Sequence, residues 1–299
     1  MSEAMTGKIL DGAFLDALET FDLYRHQLTN GHYSGARRSG SFGSSPEFAD
    51  YRDYVPGDDL RRIDWNLAGR FDKYYIKRFI DEKQGKNRVY LDMSASMGQD
   101  AVKGFKALQL AAAMGYLSVS NMDCVQYRLL REEKCEDLCG SIIGRESFFN
   151  AVRRLEDVEY YGSLDFFSAI RDDPSPGFND GVSSIISDFL TDSNWKGAID
   201  YLINRHREVA IIQILSPEEL EPSYSGAYSF FDAEFRKEKA SHVDVNRDAL
   251  IAYKKAVSCF LNDIRHFCAS RAVSYMMARS DERIEEALLT KGCAEGLIQ

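Results

Sequence analysis

The sequence predicts an α/β fold: a doubly wound, mostly parallel sheet with helices on both faces, preceded by an N-terminal appendage. Three observations point there. From residue 87 onward, short apolar segments end in small or acidic residues, longer segments of helical period alternate with them, and no such rhythm precedes that point. The expected division is an appendage over 1–86 and a sheet domain over 87–299, with an inserted flap at 217–248. With 44% of its 299 residues hydrophobic, the chain suits one core plus an appendage better than two equal domains.

In the appendage, Phe14, Leu15, Leu18, Phe21, Leu23 and Leu28 recur at spacings near three and four, so residues 11–28 read as an amphipathic helix stopped by Asn30 and Gly31. Residues 35–43, rich in Gly, Ser and Arg, read as a loop. Pro56-Gly57 suits the centre of a type II turn, because proline presets the first φ and glycine tolerates the positive second one. Asp58 or Asp59 then caps a short helical turn through Arg62, and residues 73–79 have strand composition.

Beyond residue 87 the expected strands are 88–93, 124–130, 183–190, 209–215 and 273–278, within a βα rhythm of six strands. Helices are expected at 102–119, whose packing face is rich in alanine, and at 146–155, 164–170, 195–204, 249–270 and 282–291. Between Pro217 and Asp248 the rhythm breaks. Tyr228, Phe230 and Phe231 precede a polar stretch, and Val243 and Val245 alternate, which reads as a hairpin-like flap whose aromatics pack inward.

Charge narrows the function. The 47 acidic residues outnumber the 37 basic ones for a net charge of −10, and a phosphate-binding surface needs clustered Lys and Arg, so nucleic acid is not an expected partner. No apolar run reaches the roughly 18 to 20 residues that span a bilayer, and the N-terminus lacks a basic flank followed by an apolar core. A cytoplasmic protein with no membrane span is expected. The six cysteines are scattered and read as reduced thiols; Cys135 and Cys139 lack the further ligands a zinc site needs.

Directly after the first strand of this domain comes Asp92-Met93-Ser94-Ala95-Ser96, at the strand's carboxyl end and just before a helix. Doubly wound sheets bind ligands there. A hard cation wants oxygen ligands, and two hydroxyls two residues apart on a tight loop beside a carboxylate can supply them. Further oxygens are expected from Ser163, on a loop that opens a helix, and from Asp188, at the end of another buried strand. Each has a plainer explanation: Ser94, Ser96 and Ser163 as helix caps, Asp188 as a solvent-facing strand end. Asp92 could also serve Mg²⁺-dependent phosphoryl transfer as an acceptor, although Ser94 stands where a second acid would be expected. Taken together, the loops favour a non-catalytic site for Mg²⁺, or for another divalent ion such as Mn²⁺ or Ca²⁺, that grips a partner's carboxylate.

Upstream, residues 48–70 are dense in Arg, Asp and aromatics. Arg52, Arg61, Arg62 and Arg70 can pair with the interleaved acids to hold the appendage together. Arg and Trp also dominate interfaces, so Arg52, Arg61, Arg62, Asp64, Trp65 and Arg70 are the expected partner-binding residues. No Gly-rich phosphate loop exists to make the arginines part of a nucleotide site.

The loops at Asp92 to Ser96, Ser163 and Asp188 resemble the metal-ion-dependent adhesion site of von Willebrand factor A domains, with Ser163 where that family usually has Thr. The resemblance implies a von Willebrand factor A-like, Rossmann-like sheet. It further implies that the serines bind the ion through hydroxyls, that the Asp residues act mostly through water, and that an acidic residue of the partner completes the shell. The run from Pro46-Glu47-Phe48 through Arg-x-Tyr-x-Pro-Gly-Asp-Asp and Arg-x-Ile-Asp-Trp to Glu82 is similar to the domain of unknown function 58 family, as are Ser187-Asp188-Phe189 and Leu215-Ser216-Pro217-Glu218-Glu219. That resemblance implies a bacterial protein partnered with a MoxR-type AAA+ ATPase, and some members carry transmembrane helices ahead of this region.

Overall fold

The computed structural model describes residues 9–18, 48–71, 73–79, 85–222, 226–230 and 241–298. The chain divides into two compact units, one formed by residues up to 25 with 85–299, the other by 26–84.

In the smaller unit, strand β1 (Phe48–Asp53) pairs antiparallel with β2 (Tyr75–Phe79). Residues 73–79 were expected to have strand composition, and Tyr75–Phe79 of them form a strand, in this two-stranded sheet. The chain leaves β1 through the expected turn, in which the Asp58 amide donates to the Val55 carbonyl (3.0 Å) and Gly57 takes a φ of 111°. Asp59, not Asp58, caps the short 3-10 turn at Leu60–Arg62, and Asp64 caps helix α2 (Trp65–Phe71) by accepting from the amides of Asn66 and Leu67.

The larger unit begins with helix α1 (Gly12–Leu18), whose Phe14 and Leu18 are buried in the same core as the helices of the sheet domain. The boundary expected after residue 86 therefore misplaces this helix: its apolar stripe belongs to the sheet's core, and the rest of the 11–28 expectation lies outside the described residues.

The sheet itself contains β3 (Lys86–Asp92), β4 (Cys124–Arg131), β5 (Lys134–Asp137), β6 (Val182–Ser187), β7 (Glu208–Leu215) and β10 (Ser274–Arg279), in the order β10-β7-β6-β3-β4-β5. All neighbours are parallel except β5, which runs antiparallel to β4 at the edge. Alternate residues of each strand face opposite sides. Val89, Leu91, Ile186 and Ile212 join one buried cluster with α1, α4 (Ala101–Ser120) and α5 (Arg145–Glu156), whereas Tyr90, Ile185 and Ile211 join a second with α6 (Phe166–Asp172), α7 (Trp195–Asn204) and α9 (Arg247–Ala269). Alanines 107 and 111 to 113 let α4 lie close against the sheet, and each large apolar side chain buried there contributes roughly 1.5 to 3 kcal/mol.

This two-sided, mostly parallel sheet is the fold class expected. Its sixth strand was not: of β5 only Cys135 is buried, so it carries no apolar pattern. Strands β8 (Gly226–Phe230) and β9 (Ser241–Val245) form the antiparallel pair expected of the flap, with Tyr228 40% exposed rather than packed inward; Phe231 lies outside the described residues. The helix expected at 282–291 is a π-helical segment over Glu286–Gly292. Among the described residues no helix is long and apolar enough to cross a membrane.

Because β3 has β4 on one side and β6 on the other, the chain changes winding direction there, which opens a crevice at the carboxyl ends of β3 and β6.

Candidate metal centre

Strand β3 delivers Asp92 into this crevice and β6 delivers Ser187 and then Asp188, each nearly inaccessible to solvent. One Asp92 oxygen accepts from the Ser94 amide (2.9 Å) and the other from the Ser187 hydroxyl (2.6 Å). Burial, and then the charge of Asp188, push the Asp92 carboxyl up to about 6 against the pull of Ser187 and Ser94.

Ser94 stands at the N-cap position of α3 (Ala95–Gln99), yet its side chain makes no capping hydrogen bond. Its Oγ lies 3.1 Å from Ser96 Oγ instead. The capping task in this stretch falls to Asp100, which accepts from the Val102 amide at the start of α4. Ser163 is not a cap either, because Asp165 caps α6. The Ser163 loop meets the Asp92 loop through backbone: the Ala95 amide donates to the Gly162 carbonyl (2.9 Å) and the Tyr161 amide to the Met93 carbonyl (3.0 Å).

Asp188 is not a solvent-facing strand end. One of its oxygens accepts from the Leu190 amide and the other, at 2.7 Å, from the ammonium of Lys103. The next residue, Phe189, has a φ of 58°, a conformation uncommon for a bulky side chain, and is held there by stacking on Phe166 and by its amide donating to Ser187 Oγ. Gln213 donates to the Asp188 carbonyl and accepts from the Tyr275 hydroxyl, so the strand end is braced from β7 and β10.

The donor set fits a hard cation. Oxygens on adjacent vertices of an octahedron with bonds of about 2.1 Å lie about 3.0 Å apart, close to the Ser94 to Ser96 spacing. Among the described residues no group of three or more His, Cys, Asp or Glu is arranged to hold a metal ion, so an ion here would rest on hydroxyls and water with two carboxylates behind them.

Sequence reasoning missed three groups in this crevice: Ser187, Lys103 and Glu219. Lys103, in the first turn of α4, lies on that helix's alanine-rich face, and a lysine on an apolar face was the available signal. Burial works against the charge of its ammonium, but Asp188 and Glu219 outweigh it and hold the group above the ordinary lysine range.

In the smaller unit, Trp65 is 62% exposed and meets Tyr74 edge to face, and Arg61 and Arg70 are also exposed. The Arg62 side chain lies outside what the structure describes. Arg52 pairs with Asp58 (2.6 Å) and braces the turn. Asp64, expected at the docking surface, is instead buried: it caps α2 and accepts from the Tyr51 hydroxyl (2.9 Å), so it holds the unit's own fold.

Residues 50–258 match the family described as protein of unknown function DUF58. Uncharacterized proteins of Mycobacterium bovis and Mycobacterium tuberculosis are 27% identical to this chain over 236 residues, which are 77% of its length and 74% of theirs. Among solved structures, a von Willebrand factor type A protein from Catenulispora acidiphila aligns over 74% of this chain with 8% identity and a TM-score of 0.40, and this chain spans 43% of that one. The SpRpn10 VWA domain aligns over 69% of this chain and 94% of its own, with 11% identity and a TM-score of 0.36.

Proposed function

This chain belongs to the DUF58 family, and from that premise we propose that it is a non-catalytic, metal-dependent protein-binding module of the cytoplasm. Its site takes Mg²⁺ or another divalent ion at Ser94, Ser96 and Ser163, with Asp92 and Asp188 acting from behind. The observation that carries this reading is the pair of hydroxyls 3.1 Å apart at the crevice, with Ser94 free of the capping role its position would suggest. A divalent ion bound there supplies an electrophile for a carboxylate of the partner.

The engagement of Asp92 supports binding over phosphoryl transfer: both its oxygens accept hydrogen bonds inside the protein and 2% of the residue is exposed, which leaves no oxygen presented for attack. The partner proposed is a MoxR-type AAA+ ATPase, with exposed Trp65, Arg61 and Arg70 as a second contact surface. The test is capture of such an ATPase by the full chain in Mg²⁺, in EDTA, and with Ser96→Ala. Capture should disappear in EDTA, return with Mg²⁺ and fail in the variant. Equal capture under all three conditions would remove the metal from the function.

A further inference from the structure

Lys103 is 1% exposed, and its ammonium faces three oxygens: Asp188 Oδ2 at 2.7 Å, Glu219 Oε1 at 2.7 Å and the Ser96 carbonyl at 3.4 Å. Three donors meet three acceptors, so the charge is fully accommodated where a second cation would also seek oxygen. Glu219 belongs to the short helix α8 (Pro217–Leu220) and is bound there twice over, its other oxygen accepting from the Ser216 amide (2.7 Å) in a capping box. Beside Ser96 and Lys103 lies a cavity of about 820 Å³, lined also by Asp100, Glu218 and Tyr253. A displaced ammonium has both room and carboxylates there.

We propose that Lys103 is the resident cation of this site and sets its ion affinity: a divalent ion entering at Ser94 and Ser96 competes with the ammonium for Asp188 and drives it into the adjoining cavity. This rests on the metal-binding reading above and deepens it. An unpaired Asp188 would attract a dication strongly, and the ammonium cancels that attraction at contact distance. Uptake is thereby weakened, and the ion that does enter stays poorly neutralised and open to a partner's carboxylate.

Mn²⁺ serves as the probe, on the full chain at neutral pH. Lys103→Met should bind it at least tenfold more tightly by calorimetry. Because that variant leaves two acids unpaired and could fail to fold, a second measurement uses the unaltered protein: reductive methylation of Lys103, followed by mass spectrometry, should speed up at least fivefold when Mn²⁺ is added. Equal Mn²⁺ affinity in both proteins, or a Lys103 that stays unreactive in saturating Mn²⁺, overturns the role given to Lys103 and leaves the metal site standing. No Mn²⁺ uptake by either protein overturns both. Uptake by Lys103→Met alone supports the competition and removes the metal from the native function.

Discussion

The Ser187 hydroxyl donates a 2.6 Å hydrogen bond to Asp92 and so ties the end of β6 to the end of β3 at the middle of the sheet. The same oxygen accepts from the Phe189 amide, which keeps that residue in its left-handed conformation. Ser187→Ala strips both buried groups of a partner at once, and should lower unfolding free energy by about 1 to 3 kcal/mol in urea titration. A loss below about 0.5 kcal/mol would mean that water replaces the hydroxyl.

Asp92 carries a pH dependence of defined sign. Its carboxyl titrates near 6 in the folded protein against 3.8 for a free aspartate, so between those values the unfolded chain is ionised while the folded one keeps its proton. Stability should therefore fall as pH rises through that window and level off above about 6. Thermal melts of Asp92→Asn should lack the decline. If the site takes Mg²⁺ as proposed, the ion favours the ionised form and should recover part of the loss above pH 6, and none once EDTA is added.

At the opposite end of the sheet, Asp180 accepts from both Arg88 and Arg207, two guanidiniums almost wholly buried. Burial, and then the charge of Arg88, pull Arg207 down to about 10. Asp180→Asn leaves like charges side by side without their anion, a change that costs about 3 to 5 kcal/mol for buried pairs. Chemical denaturation should show a loss of that order, and Arg207→Met in the same background should restore part of it.

The limits of sequence reading follow from how far apart the interacting residues are. Asp92, Ser94 and Ser96 were legible because they are neighbours in the chain and sit where an apolar run gives way to a helix. Strands β3, β6 and β7 were legible because each carries a short buried apolar stretch, Val89 to Leu91, Ile185 with Ile186, and Val209 to Ile212, while their buried polar residues gave no such signal. Nothing local announces that Lys103 meets Asp188, 85 residues away, or that Ser187 meets Asp92 across 95. The edge strand β5 was invisible for another reason: an antiparallel edge needs only backbone pairing, and its Lys, Glu and Asp residues are exposed, the two acids pairing with Arg131 and Arg128 of β4.

Gly115 tests the packing of α4 on the sheet. A Cβ at this position would overlap the Tyr127 hydroxyl and press on Phe148. Tyr127 and Phe148 are both fully buried, so neither ring can move aside freely, and among the described residues the Tyr127 hydroxyl has no hydrogen-bond partner. Gly115→Ala should destabilise the protein by about 1 to 3 kcal/mol through overpacking. Tyr127→Phe removes the obstructing oxygen, and the double variant should regain most of the loss, a coupling that urea titration of the four proteins would measure.

Trp65 separates binding from stability. It is 62% exposed, with Tyr74 as an edge-to-face neighbour, so Trp65→Ala should change unfolding free energy by no more than about 0.5 kcal/mol. An exposed tryptophan in a segment that also exposes Arg61 and Arg70 is the kind of residue whose truncation costs an interface about 2 kcal/mol or more, roughly thirtyfold in Kd. Asp64→Ala should behave in the opposite way: it removes the cap of α2 and the acceptor of Tyr51, so thermal stability of the smaller unit should drop while Trp65 stays at the surface. Binding of the proposed ATPase partner, measured by surface plasmon resonance alongside melts of both variants, distinguishes the two effects. If Trp65→Ala binds as tightly as the unaltered chain, this surface is not where the partner docks.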